Sequence, residues 1–185
     1  MTTVQRRTML IGLAAGIAAS TLAPAAAHTL YPQWVAYRRK HLLVGCHRKD
    51  LETYRLAQDL VEEINHALPK AKARVARAPH PERLASLIGT DQMEIAILSR
   101  ADAVEMAGGQ GKFAPYGQIP LTWINDLSGY LLVADKDLPL RHGWMLASAL
   151  GESGRAKHPE TTDLPLHPGA AAKLDGLELD DLPGE

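Results

Sequence analysis

The alternation of short apolar runs with helix-forming segments is the feature that most constrains the fold of this chain. Two apolar runs of strand length, 41–45 and 93–98, and one segment of alternating apolar and basic residues, 71–78, precede such segments. The longest helical segment, 51–68, has apolar residues every three or four positions, follows the N-cap candidate Asp50 and ends before Pro69. Strands and helices that alternate in this way form right-handed crossovers on a parallel sheet. We therefore predict an α/β fold with a mainly parallel sheet flanked by helices.

The later part of the chain predicts a hairpin, a helix and a polar end. Residues 119–124 and 130–134 are apolar runs on either side of a turn, and 141–150 has the pattern of a last helix. Proline, glycine and acidic residues then become frequent. The predicted division is a connector over 28–40, an α/β domain over 41–150 and an extended polar tail over 151–185.

The first 27 residues have the three parts of a secretory signal peptide. Arg6 and Arg7 form the adjacent basic pair that is typical of the twin-arginine export route. The apolar stretch that follows them is too short to span a membrane, which takes about 20 apolar residues. Small residues up to Ala27 predict cleavage before His28. We therefore expect a periplasmic protein whose mature chain has no transmembrane segment.

Charge and cysteine content limit the partners and the chemistry. Removal of the signal peptide takes away two of the 20 Lys and Arg residues and none of the 21 Asp and Glu residues, which leaves a net charge of −3. Because no basic excess remains to neutralise phosphates, nucleic acid is not an expected partner. Cys46 is the single cysteine, so no internal disulfide forms in an oxidising compartment.

Four segments, taken in order, resemble the TAXI proteins, the solute-binding proteins of TRAP-type transporters. These segments are LLVG at 42–45 with TY at 53–54, EIAILS at 94–99, YLLVADKDLP at 130–139 and LPLHPGAA at 164–171. The resemblance implies the type II periplasmic binding-protein fold and a role in solute transport. Full members have two lobes, whereas here the third strand is followed after one loop by the returning segment. The resemblance therefore implies a fold reduced to a single lobe.

Five residues occupy the positions where such a sheet binds ligands. In open α/β sheets the ligand lies outside the carboxyl ends of the strands, and this rule selects Cys46, His47, His80, Ser99 and Arg100. Arg100 beside Ser99 suits a carboxylate, because a guanidinium group forms paired hydrogen bonds with it. His80 precedes a helix N-terminus, a favourable place for an anion. We predict that these five residues line the ligand site.

Two functional hypotheses follow. The favoured one is a solute-binding-protein-like module, related to TRAP transport, that binds a small ligand such as a carboxylate, or an exported or membrane partner protein, without a cofactor. The alternative is a metal-binding or assembly factor for an exported enzyme, because Cys46, His47 and His80 offer a thiolate and imidazoles that suit Zn or Cu(I). Catalysis is not expected, since the sequence has no phosphate-binding loop or recognisable catalytic motif.

Overall fold

The computed structural model describes residues 32–152 and 163–183, so the predicted signal peptide and its cleavage site lie outside the described residues. The strands are β1 Leu43–His47, β2 Arg74–Ala78, β3 Ile95–Ser99, β4 Leu121–Asp126 and β5 Tyr130–Asp135. The helices are α1 Pro32–Lys40, α2 Leu51–Ala67, α3 Pro81–Ile88, α4 Arg100–Gly108, α5 Leu140–Glu152 and α6 Pro168–Leu174. Within the described part of the chain, no helix is both long and apolar enough to cross a membrane.

The five strands form one mixed sheet in the order β2-β1-β3-β5-β4. β1 runs parallel to β2 and β3, whereas β5 runs antiparallel to both β3 and β4. The predicted α/β class with flanking helices is confirmed, but a mixed sheet replaces the mainly parallel one. The reason is the short connection 127–129, which allows only antiparallel pairing of β4 with β5.

Two apolar layers cover the faces of this sheet. One layer packs α2 and α5 against side chains such as Val44 and Ile97, and the other packs α3 and α4 against side chains such as Ala96 and Leu98. Successive residues of a strand alternate between these layers, as the pleat requires. The alternation decides which residues at a strand end can share a site.

Helix α2 confirms the prediction from its apolar spacing. The Asp50 side chain accepts hydrogen bonds from the backbone N–H groups of Glu52 at 2.9 Å and Thr53 at 3.3 Å, so it caps the helix as predicted. A 3₁₀ turn, Pro69–Ala71, follows the helix. The buried face of α2 includes Leu60, which lies against the sheet.

Helix α1 was not predicted, because the sequence indicates a connector over 28–40. Its apolar residues do not repeat at the spacing of a helix that buries one face. Arg38, Arg39 and Lys40 fill its last turn, where positive charge is favourable because the backbone carbonyls carry partial negative charge. The described part of the connector is therefore helical.

The described part of the polar tail, 163–183, also differs from the extended chain that the sequence predicts. Leu166 forms a parallel bridge with Trp123 of β4, and α6 follows directly. The backbone N–H of Trp123 donates to the Pro165 carbonyl at 3.0 Å, and the N–H of His167 donates to the Trp123 carbonyl at 2.8 Å. This segment is ordered because it extends the sheet and buries apolar side chains, including Leu164.

Candidate functional site

The carboxyl ends of β1, β2 and β3 meet at one edge of the sheet, which we call the carboxyl edge. The parallel register places His47, the last residue of β1, opposite Ala78, the last residue of β2. His80 follows β2 by two residues, Ser99 ends β3 and Arg100 begins α4. Four of the five predicted site residues therefore lie at this edge.

Cys46 does not join the other four residues. It is 0% exposed and packs in the apolar layer under α2 and α5. Burial raises the pKa of the Cys46 thiol to about 11, although Arg77 partly offsets this effect. His47 is next to it in the strand and so points to the opposite face. The thiol is therefore protonated at neutral pH and lies in the apolar layer on the face of the strand opposite to the His47 ring.

His47 and Tyr130 both lie close to Asp50. His47 Nε2 lies 3.9 Å from Asp50 Oδ2, and burial lowers the pKa of His47 more than the neighbouring carboxylates raise it. Within the described residues, His47 Nδ1 is buried without a hydrogen-bond partner. The pKa of Tyr130 is raised, first by burial and then by its hydrogen bond to Asp50. A neutral imidazole and a protonated phenol thus lie beside one carboxylate.

Ser99 and Arg100 are held in place by the start of α4 and the end of β4. Ser99 Oγ accepts a hydrogen bond from the backbone N–H of Asp102 at 3.1 Å and so caps α4. Arg100 Nη2 donates to Asp126 Oδ2, and the Asp126 side chain is only 8% exposed. The guanidinium group is therefore oriented by a nearly buried carboxylate.

A histidine–carboxylate contact and one ion pair complete the carboxyl edge. His80 Nδ1 lies 3.0 Å from Glu82 Oε2, and Lys112 Nζ lies 2.7 Å from Asp102 Oδ1. Asp102, Glu82 and Lys112 are also close enough to His47 to change its pKa. The two pairs thus belong to one polar region with the residues described above.

The charges of the carboxyl edge are mixed. Its carboxylates are Asp50, Glu82, Asp102 and Asp126, and its cations include Arg100 and Lys112. The exposed turn between β1 and α2 adds Arg48 and Lys49. Arg100 and Lys112 each contact one carboxylate, so charges of both signs lie together at this edge. The arrangement suits a ligand that carries charges of both signs better than a simple anion.

The strand-end rule did not select Asp126 and Tyr130. Asp126 ends β4 and Tyr130 begins β5, and both reach the edge because β5 lies between β3 and β4 in the sheet. Asp50 was predicted only as a helix cap. The sequence signal for Asp126 and Tyr130 is a polar side chain on either side of the hairpin turn, where β4 ends and β5 begins.

No metal cluster is found among the described residues: no three His, Cys, Asp or Glu side chains lie together in a way that could hold an ion. No family model matches the chain. No curated protein matches it either.

Proposed function

We propose that this chain is a periplasmic solute-binding module, related to TRAP transport, that holds a small zwitterionic carboxylate at the carboxyl edge. One observation carries the proposal. Arg100 and Ser99 lie at the same edge as Asp50 and Tyr130, in a region of mixed and mutually paired charge. The proposed role is binding and not catalysis.

The zwitterion follows from the two kinds of polar group. The solute carboxylate would lie at Arg100 and the Ser99 hydroxyl, because a guanidinium group fixed by Asp126 forms geometrically specific hydrogen bonds with carboxylates. The solute ammonium group would lie at Asp50, whose side chain is 25% exposed. A ligand with both charges replaces water at both places and leaves no protein charge unmatched.

The positions of the segments that resemble TAXI proteins support this assignment. Those at 42–45, 94–99 and 130–139 include parts of β1, β3 and β5, which are neighbours in one sheet. The segment at 164–171 extends the same sheet and begins α6. We propose on this basis that the domain is a single lobe of the type II binding-protein fold.

Export is proposed from the sequence of residues 1–27, with their Arg6-Arg7 pair. Its test is the cellular location of the full chain in a bacterium with an active twin-arginine system. We expect the mature protein in the periplasmic fraction and the uncleaved precursor in the cytoplasm when both arginines are replaced by lysine. An unchanged distribution of the variant would contradict twin-arginine export.

The ligand experiment uses protein purified from the periplasm. Native mass spectrometry measures any bound mass, and calorimetric titration with the twenty common amino acids then measures affinity. We expect Arg100→Lys to weaken binding about tenfold, because lysine keeps the charge beside Asp126 but loses the paired donors. Arg83→Lys is the control, since Arg83 is exposed on α3 and its side chain donates a hydrogen bond to Ser86 and forms no ion pair with any described residue.

Two outcomes of these measurements would contradict the proposal. One is the absence of any bound organic mass together with no binding of a zwitterion. The other is a bound metal ion that is lost on substitution of His47 or His80, which would favour the metal-handling alternative. That alternative has less structural support, because Cys46 lies in the core on the other face of the strand from His47.

A further inference from the structure

A separate cavity lies where the parallel strands begin, which we call the amino edge. Its volume is about 860 Å³, within the range of about 300–1,000 Å³ that is usual for small-molecule sites. It is bounded by the end of α1, by the 3₁₀ turn Pro69–Ala71 and by α5. The carboxyl edge lies at the other end of β1 and β3, so the two regions share no residue.

The floor of this cavity is apolar. The large apolar side chains that line it are Leu42, Leu68, Leu138, Met145 and Leu146. Leu138 and Leu146 also belong to the buried core, and Met145 is half-buried. The apolar part of a ligand bound here would pack against the apolar layer under α2 and α5 and would be removed from water.

The rim of the cavity is basic. Its cations are Arg38, Arg39, Lys40 and Lys70, with His41 and His142 beside them, and among the described residues Glu94 is the one acidic residue of the lining. Among the described residues, none of these four cations forms an ion pair. Arg38 donates a hydrogen bond of 2.6 Å to the neutral amide oxygen of Gln92.

The contrast with the carboxyl edge identifies the charge of the ligand. There, Arg100 and Lys112 each contact a carboxylate, whereas the rim of the amino edge has four cations and a single carboxylate. A cluster of like charges without counter-ions raises the local concentration of anions. The apolar floor excludes a ligand that is charged along its whole length, because burial of further charge is costly.

We infer that the amino-edge cavity binds an amphipathic organic anion, with an apolar chain against Leu68 and Met145 and one carboxylate at the basic rim. This site is additional to the proposed solute site. A straight-chain carboxylate is the simplest compound with the required chemistry.

The test is a calorimetric titration of the full chain with decanoate, below the concentration at which decanoate forms micelles. We expect saturable binding of one decanoate per chain. Octanoate, shorter by two methylenes, should bind more weakly by about fourfold for each methylene lost. Decyltrimethylammonium, which has the same chain and the opposite charge, should bind at least about tenfold more weakly. Added salt should weaken decanoate binding.

One double variant locates the site, and two further variants are controls. Replacement of both Arg39 and Lys70 by glutamine should weaken decanoate binding by about tenfold, since each exposed charge contributes modestly. Arg83→Gln on α3 is the matched control and should leave the affinity unchanged. Arg100→Lys should also leave it unchanged, so failure here is distinguishable from failure of the proposed carboxyl-edge site.

Nuclear magnetic resonance of methionine methyl groups gives an independent location. The Met145 signal should shift on addition of decanoate, because Met145 lines the cavity. The signal of Met106, a buried residue of α4 in the other apolar layer, should not shift. Three results would overturn the inference: no saturable binding, equal affinity for decyltrimethylammonium, or binding only to vesicles of phosphatidylglycerol. The last would indicate a membrane surface as the partner.

Discussion

At the scale of single residues, His167 connects α6 to the residues before α5 through one buried imidazole ring. The imidazole is 1% exposed, and both of its nitrogens are used. Nδ1 accepts the backbone N–H of Gly169 at 3.0 Å, which caps α6, so Nε2 carries the proton and donates it to the Leu138 carbonyl at 3.0 Å. Burial lowers the pKa of His167 more than the bond to Leu138 raises it. The folded protein therefore requires neutral His167.

The first prediction is that folding stability decreases in mild acid because of His167. Its contribution is full above the unfolded pKa of about 6.5 and is lost as the pH falls toward the lower folded pKa. We expect the slope of unfolding free energy against pH, measured with urea between pH 7 and 5, to be smaller in His167→Asn. His66→Asn, at an exposed position of α2, is the control. Equal slopes in the wild type and His167→Asn would refute this role.

The second prediction is that the buried thiol of Cys46 reacts slowly with alkylating reagents in the folded protein. Because its pKa is raised to about 11 and it is 0% exposed, iodoacetamide should label it slowly in the native protein at pH 8 and rapidly in urea. Cys46→Ser should cost about 1–3 kcal/mol, since a hydroxyl replaces an apolar contact in the core. Fast labelling of the folded chain would show a solvent-facing thiol, as the metal-handling alternative needs.

The candidate site was predictable only where it depends on local pattern. A strand followed by a helix places His47, Ser99 and Arg100 at the carboxyl edge, and this can be inferred from apolar runs alone. Asp126 and Tyr130 could not be placed in this way. They reach the site because β5 pairs with both β3 and β4, and such pairing depends on contacts between distant parts of the chain.

At the scale of elements, α5 and α6 pack so closely that glycine is required on both. A Cβ atom at Gly143 of α5 would overlap the ring of His167. A Cβ atom at Gly169 of α6 would overlap the Leu140 carbonyl and come close to the Trp144 backbone nitrogen. Close approach of two helix backbones is a common reason for glycine inside helices that otherwise disfavour it. Helix α6 can therefore pack against α5 only because Gly143 and Gly169 have no side chains.

The third prediction compares two glycines of the same helix. Gly143→Ala should destabilise the protein by about 3 kcal/mol, because the new methyl group meets a buried ring that has no space to move. Gly151→Ala places its methyl in open space and should change stability by less than about 1 kcal/mol, in the stabilising direction. Thermal unfolding of both variants is the measurement. Similar melting temperatures for the two would contradict this description of the helix contact.

The helices differ in how well the sequence predicts them, because they bury different amounts of apolar side-chain surface. Helix α2 buries one long face, so its apolar spacing identifies it. Helix α1 lacks a regular apolar face. Most of the seven residues of α6 are alanine or glycine, whose small side chains allow close backbone approach but bury little apolar surface. A pattern of large apolar residues therefore does not indicate either helix.

At the scale of the whole molecule, the C-terminal segment completes the sheet that the earlier residues begin. Leu166 pairs with Trp123 of β4, and the Trp123 indole N–H donates to the Leu164 carbonyl at 3.1 Å. The Trp144 indole N–H donates to the Leu177 carbonyl at 2.8 Å, which ties α5 to the residues beyond α6. The predicted domain limit at residue 150 therefore passes through a contiguous packed core, and the residues on both sides of it depend on each other.

The fourth prediction is that a chain that stops after Glu152 does not fold cooperatively. It loses the burial of Leu164, Ala170 and Leu182, together with the hydrogen bonds to Trp123. Full burial of one leucine contributes about 1.5–3 kcal/mol, and whole domains are stable by only about 5–15 kcal/mol. Near-ultraviolet circular dichroism of the tryptophans and thermal unfolding are the measurements, with the full chain as reference.

Addition of the missing residues as a separate peptide, 153–185, distinguishes loss of packing from a failure of synthesis. If the segment acts through the contacts of Trp123 and Trp144, the peptide should bind the shortened chain and restore its tryptophan signal, in a concentration-dependent way. Restoration should fail with a peptide carrying His167→Ala, because the cap of α6 and the bond to Leu138 are lost together. A shortened chain that melts cooperatively within a few degrees of the full chain would instead show that residues 41–150 form an independent domain, as the sequence pattern alone predicts.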